Sequence, residues 1–407
     1  MAVTWGEANR WGVLATAGIA VILSLSTWFS TTAITADLVR VWAIDATESG
    51  WLTNAVQIGF VCGALTSSVL ALADRFRPQR IMAAAAVVCA ASNAGLLIAQ
   101  GLESALILRF LTGAALAGVY PPAMKFVATW FRSGRGLALG AMVGALTVGS
   151  ASPHLLRGLG QGLDWQLVIA ASSAASLIAA LMMLLALPDG PYPFQSARIR
   201  LRHVGRIFAN RPAMLANFGY FGHMWELYAM WGWFMAYAAA STEAGASVLG
   251  GNASILAFMA IALGGPGCVL AGALSDRIGR CLTTSIMMAV SGGCALAIGF
   301  VFDGPGWLFT GIAMLWGLTI VADSAQFSTA VTELSEPETV GSMLAFQMGV
   351  GFSITVLTIW LVPHIADWLG GWQWAFLILV PGPILGIAAM MSLRRLPEAR
   401  RMASGRR

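Results

Sequence analysis

The chain predicts an all-α integral membrane protein of twelve transmembrane helices arranged as two six-helix halves. Three observations carry that expectation. Of its 407 residues 58% are apolar and only 10% charged, apolar runs of about twenty residues recur from end to end, and features of the first half return in the second. A mean hydropathy of +0.77 does not fit a soluble surface, which excludes a soluble enzyme. Each run can cross a hydrocarbon core of ~30 Å as a helix rising ~1.5 Å per residue. Leu, Ile, Val and Phe are abundant, and 46 Gly and 15 Pro follow no short period, so the chain is neither disordered nor fibrous. A barrel strand would alternate apolar and polar residues, whereas 81–100 (IMAAAAVVCAASNAGLLIAQ) is apolar on every side.

Apolar runs and the breaks between them place the spans at 12–36, 49–73, 81–100, 105–131, 136–156 and 165–187 in the first half. The second half has 212–240, 251–273, 282–302, 307–333, 341–362 and 372–393. Trp42, Trp51, Trp307, Trp368 and Trp372 sit at span ends and read as interface anchors. With a cytoplasmic N-terminus, nineteen of the 23 Lys and Arg fall on the cytoplasmic side, in short loops and the tail. The opposite side receives Arg40 and Arg157, and Arg109 and Lys125 remain inside spans. That bias puts both termini in the cytoplasm and the chain in the inner membrane. Topology and the anionic inner leaflet then account for the net charge of +5, so nucleic acid is not expected as a partner. The first apolar run is span-length and lacks a small-residue cleavage site, so no cleavable signal peptide is expected. Cys62, Cys89, Cys268, Cys281 and Cys294 form no CxxC pair and read as buried, inert thiols rather than metal ligands. No cofactor is expected.

The halves divide at 188–211, which opens with PDGPYP and continues through Arg198, Arg200, Arg202, His203, Arg206 and Arg211. This basic stretch reads as a cytoplasmic linker, either a short helix on the inner leaflet or a solvated charge run. The expected organisation is a six-helix bundle over 1–187, the linker, and a second bundle with a basic tail over 212–407. ALADRFRPQR follows the second span and GALSDRIGRC the eighth. The sixth and twelfth spans open with Asp164-Trp165-Gln166 and Gly371-Trp372-Gln373. One six-helix unit used twice places a transporter's substrate site near midplane between the halves.

The stretch Gly272 to Arg280, GALSDRIGR, resembles the loop signature of the major facilitator superfamily. The first-half copy departs from it, with Leu70 in the Gly position and Arg77-Pro78 in place of Gly-Arg. Arg109, Gly113 and Gly118 in RFLTGAALAG are similar to the superfamily's fourth-helix pattern of Arg followed by spaced small residues. The continuation YPPAMKFVATWF, with Arg135-Gly136 after it, looks like transporters of small anions within that superfamily. The fifth span carries Gly140, Gly144, Gly149 and Pro153 without the Gly-Pro-x-x-Gly-Gly order of the drug/proton antiporters. The resemblance implies the fold, a small-molecule substrate and a monomer in the lipid bilayer. Asp74, Arg75, Asp276, Arg277 and Arg280 would then form cytoplasmic gating loops, in which charge pairs hold one conformation.

Ionisable groups within spans are costly unless paired or wetted, which makes each a functional candidate. Arg109 and Lys125 lie on one helix, roughly 160° apart around its axis. Arg109 is read inward, for substrate or proton coupling or as a structural hydrogen-bond hub. Lys125 either snorkels to the interface or contacts substrate. Glu226 sits mid-span in YFGHMWELYAMWGWF, three residues after His223 and on a similar face. A carboxyl that is costly to ionise at midplane suits proton coupling, so Glu226 is the leading proton site; the bland reading is a neutral Glu hydrogen-bonded within the bundle. His223 either shares the proton or bonds a backbone carbonyl. Asp323 faces the cavity as substrate ligand or second proton carrier; it shares an ~80° stripe with Gln326, Ala330 and Glu333. Candidate cavity-lining groups are Trp28, Thr31, Asn54, Gln57, Tyr120, Tyr220, Gln326 and Gln347.

G-x-x-x-x-G-K-[ST], H-E-x-x-H and G-x-S-x-G motifs are absent, so neither an ATP-driven pump nor an intramembrane hydrolase is expected. The expectation is a proton-coupled secondary transporter, a symporter of a small organic anion working by alternating access. The alternative is proton-driven efflux of a cationic or amphipathic compound that pairs with Glu226.

Overall fold

A computed structural model of the chain describes residues 9–70, 72–131, 135–160, 164–192, 208–246, 251–336 and 338–406. Most of the linker, 193–207, and Arg132 lie outside the described residues, as do the side chains of Asp74 and Arg135. The chain separates into two compact units, Met1–Ser196 and Ala197–Arg407.

The first unit holds α1 (Arg10–Leu25), α2 (Thr35–Trp42), α3 (Ala46–Val69), α4 (Leu72–Arg75), α5 (Pro78–Gly95), α6 (Leu102–Leu116), α7 (Tyr120–Ala128), α8 (Arg135–Leu159) and α9 (Trp165–Leu185). The second holds α10 (Arg211–Glu243), α11 (Ala253–Ala262), α12 (Gly264–Ile278), α13 (Arg280–Ala297), α14 (Gly306–Ile320), α15 (Ser324–Leu334), α16 (Val340–Trp368) and α17 (Pro381–Arg395). Among the described residues ten helices are long and apolar enough to cross a membrane, covering the expected second to sixth and eighth to twelfth spans. The two that fall short open the two units. Helix α1 is apolar but only 16 residues long, and α10, at 33 residues, carries Asn217, Tyr220, His223 and Glu226.

Local chemistry sets the element ends. Asp45 and Glu48 form a capping box at the start of α3, with Glu48 N–H donating to Asp45 Oδ1 at 2.7 Å. Asn210 and Asn252 cap α10 and α11 by accepting from Ala213 and Ile255 N–H. The first span, expected as one helix, instead stops at Leu25. In STWFSTT the hydroxyls of Ser26, Thr27, Ser30 and Thr32 donate to carbonyls three residues back, which competes with helical continuation. The fourth span breaks between α6 and α7 and the tenth between α14 and α15. Asp276 and Arg277, expected in a loop, lie on the last turn of α12, and Arg75 ends α4. Cys62 is exposed rather than buried, whereas the other four thiols are buried. Arg40 and Arg157, the two basic residues expected on the outer side, both pair with the buried Asp37, at 2.6 and 2.7 Å.

The two units repeat one close crossing. A Cβ at Gly113 would collide with the Val56 carbonyl oxygen across the α3–α6 contact, and a Cβ at Gly317 with that of Ala260 across α11–α14. Gly113→Ala should lower the thermal unfolding temperature of the detergent-purified protein by several degrees, as expected for roughly 1–3 kcal/mol of overpacking. Gly140→Ala, with no heavy atom within 4 Å of the new Cβ, should leave it unchanged or slightly raised.

Candidate functional site

In the N-terminal unit the break after α1 is held by Arg109, which is fully buried on α6. Its Nε donates to Leu52 O at 3.3 Å, and Nη1 donates to Thr27 O at 2.8 Å, Ser30 Oγ at 3.2 Å and Asn93 Oδ1 at 3.3 Å. Nη2 donates to Trp28 O. Asn93 in turn donates to Ile169 O and Ser173 Oγ, so the hub joins α1, α3, α5, α6 and α9. Its chemistry follows from the break: carbonyls at the end of α1 have no helical donor, and they lie at the negative end of the α1 dipole, where a cation is stabilised.

The other expected lining residues of this unit are buried. Trp28 stacks against Phe60 with ring centroids 4.9 Å apart, and Thr31, Asn54 and Gln57 are at most 1% exposed. Tyr120 and Lys125, on α7, are half-buried. Two buried ionisable groups escaped the sequence reading, Asp37 and His154. His154 on α8 is fully buried, with no hydrogen-bond partner at either ring nitrogen. Its only signal in the sequence was a histidine inside an apolar run.

The C-terminal unit gathers the carboxylates. Glu226, on α10, is 2% exposed, and its Oε1 accepts from Ser291 Oγ and Trp316 Nε1, both at 2.7 Å. One turn away on α10, His223 Nδ1 lies 2.9 Å from Asp323 Oδ1, an ion pair when the imidazole is protonated, with both side chains 1% exposed. Asp323 occupies the break between α14 and α15, and neither carboxylate oxygen has a hydrogen-bond partner. Tyr220 and Phe327 flank His223, with ring centroids 5.9 and 5.5 Å away. Farther along α10, Asn217 accepts from Gln347, which accepts from Ser328.

Gln326 and Glu333 belong to a separate cluster at the Arg-rich end of this unit. Arg280 grips Glu333 with two 2.7 Å bonds and also donates to Gln326 Oε1 at 2.7 Å; Ser275 Oγ donates to the same oxygen. Ala403 N–H also donates to Glu333, at 3.3 Å, and Arg406 donates to the Asp276 carbonyl. The Asp276, Arg277 and Arg75 side chains are exposed.

The Major Facilitator Superfamily model matches residues 16–346. The chain belongs to the major facilitator superfamily. It is 33% identical over 93 residues to the niacin transporter NiaP of Acinetobacter baylyi, covering 23% of this chain and 21% of that protein. It is 27% identical over 154 residues to the 3-(3-hydroxy-phenyl)propionate transporter of Escherichia coli K12, 37% of this chain and 38% of that protein. These matches span well under half the length of either relative. Among solved structures it is similar to a bacterial homologue of the human lysosomal transporter Spinster, in an inward-facing and occupied conformation (TM-score 0.73, 13% identity, 96% of this chain and 98% of that one). It is also similar to the nucleoside transporter NupG (TM-score 0.73, 15% identity, 94% and 99%). The chain is thus a membrane transporter, not an enzyme.

Arg109→Gln should lower the unfolding temperature and abolish transport while the protein still inserts. Removing the cation leaves the Trp28 carbonyl without its donor, at about 1–3 kcal/mol, and leaves Thr27 O with Ser30 Oγ alone. Arg109→Lys should recover only part of that stability, because an ammonium lacks the planar fork. A thermal melt of membrane-inserted, purified variants checks both.

Proposed function

We propose that this superfamily member is a proton-coupled symporter that carries a small organic anion, an aromatic carboxylate, across the cytoplasmic membrane by alternating access. It works as a monomer with both termini cytoplasmic. The observation that carries the reading is the set of buried titratable groups in the C-terminal unit, His223 against Asp323 with Glu226 one turn away. A carboxylate buried in an apolar bundle is costly unless a proton or a cationic imidazole offsets it, which is why we place the coupled proton at this cluster. Glu226 keeps its Ser291 and Trp316 donors on one oxygen, which leaves the other free to hold or release a proton. One proton carried with one monocarboxylate moves no net charge, which removes the Coulombic cost of crossing a low-dielectric interior. The substrate class draws on the two curated relatives, whose names specify two aromatic monocarboxylates, niacin and 3-(3-hydroxy-phenyl)propionate.

A second reading, proton-driven export of a cation, is favoured by the acidic character of the same cluster and by the aromatic ring of Tyr220 beside it. Proteoliposomes with an internal pH probe separate the two. Nicotinate or 3-phenylpropionate added outside should acidify the lumen in the symport reading; organic cations should alkalinise it in the other. Glu226→Gln should abolish the acidification, yet retain counterflow of labelled substrate within roughly tenfold of wild type. Unchanged acidification in that variant would remove Glu226 from the coupling mechanism.

A further inference from the structure

We propose that the C-terminal unit carries a lipid site: an apolar groove walled by α10, α16 and α17 takes one acyl chain of a phospholipid, whose phosphate meets Arg211. The groove measures about 400 Å³. Phe218, Phe221 and Trp225 of α10 line one side, and Leu385 and Ala389 of α17 the other. Its depth comes from Gly222 and Gly382, whose backbones cross so closely that a Cβ on either would meet the other's carbonyl oxygen. Helices α16 and α17 both pack far more extensively on α10 than on each other, which leaves a channel between them. Ile354 of α16 closes the end away from Arg211, since its neighbours Phe352 and Ile359 meet Tyr228 and Trp233, farther along α10.

The lining selects the occupant. It carries no charge, hydroxyl or amide side chain, and its one polar atom, the Trp225 indole nitrogen, already donates to Ile378 O at 2.7 Å. A polar solute would lose its hydration there and gain no hydrogen bond, whereas a hydrocarbon chain loses nothing. Phe218 and Leu385 are 51% and 68% exposed, so the groove opens at the surface, and α16 and the stretch Ala375–Arg395 that holds α17 are long and apolar enough to stand in the bilayer. The medium at that surface is acyl chain.

The headgroup contact follows from the helix that forms the floor. Helix α10 is unbroken from Arg211, so Arg211 lies ~20° around the axis from Phe218 and ~10 Å along it. From Arg211 to Trp225 the rise is ~21 Å, which matches one leaflet of a bilayer ~40–45 Å thick with its headgroups. A row of rings continues the wall towards Arg211: Phe346 lies 6.1 Å from Phe221 and 5.4 Å from Phe208. Arg211 is exposed, and it stands at the positive end of the α10 dipole. Among the described residues no carboxylate pairs with it, and Glu333, next to the Leu334 carbonyl that Asn210 reaches, is held by Arg280. The charge of Arg211 is therefore available to a phosphate, which a guanidinium binds with paired N–H donors.

Native mass spectrometry of the purified full-length chain in detergent tests this, with dioleoylphosphatidylglycerol or dioleoylglycerol added; the second keeps the chains and lacks the phosphate. Wild type should retain one phosphatidylglycerol at least roughly fivefold more tightly than dioleoylglycerol. Arg211→Gln should bring the two lipids level, with a lipid-free unfolding temperature equal to that of wild type. Arg400→Gln, an equal loss of charge in the exposed tail, should bind as wild type does. Ala389→Phe, which fills the groove, should lose both lipids. Arg211→Gln, at the surface, decides the headgroup contact even where the larger side chain at Ala389 costs stability. A phosphatidylglycerol preference that survives Arg211→Gln would overturn the site, as would an equal fall in Arg400→Gln. An Ala389→Phe protein that melts as wild type does and still retains lipid would also overturn it. A dimer that Ala389→Phe dissolves would give the groove to a second copy of the chain and overturn the lipid.

Discussion

The cost of an unsatisfied polar group in an apolar bundle is the constraint from which the rest of this structure follows. Helix α1 ends in mid-span because a run of Ser and Thr turns its hydroxyls back onto the chain, and the carbonyls so freed need donors that lipid does not supply. Arg109 supplies them, and Asn93 extends the network to α9. The charge of Arg109 is offset by helix-end carbonyls instead of by a carboxylate, which leaves the acidic groups of the chain for other work.

The two units build their polar interiors differently. In the N-terminal unit Arg109 donates onto the backbone carbonyls beyond the end of α1. In the C-terminal unit α10 presents His223 and Glu226 to Asp323, Ser291 and Trp316. An internal repeat has thus kept its scaffold, including the glycine crossings at Gly113 and Gly317, while its chemistry diverged.

Membership of the major facilitator superfamily was legible from GALSDRIGR and RFLTGAALAG, because loop charges and small-residue spacings are local patterns that survive in a single chain. So were ten of the spans, whose apolar runs exceed the bilayer thickness. The span that opens the first unit was less regular than its hydropathy suggested, while the one that opens the second is a single helix. A Ser/Thr cluster can either ride inside a helix or break it, and here the break leaves carbonyls that Arg109, from another helix, satisfies.

Sequence alone determined what kind of protein this is: composition, run length and arginine placement are sums over the chain and need no partner to be read. It also singled out Arg109, Glu226, His223 and Asp323, since a charge within an apolar span stands out without knowledge of its neighbours. Tertiary structure decided what each of them meets: backbone carbonyls for Arg109, an indole and a hydroxyl for Glu226, each other for His223 and Asp323. It alone distinguished the buried Asn93, bonded at both ends of its amide, from the equally buried Gln57 and His154, bonded at neither. That distinction depends on contacts between residues far apart in the chain, and hydrogen-bond satisfaction is a property of such contacts rather than of the residues that make them.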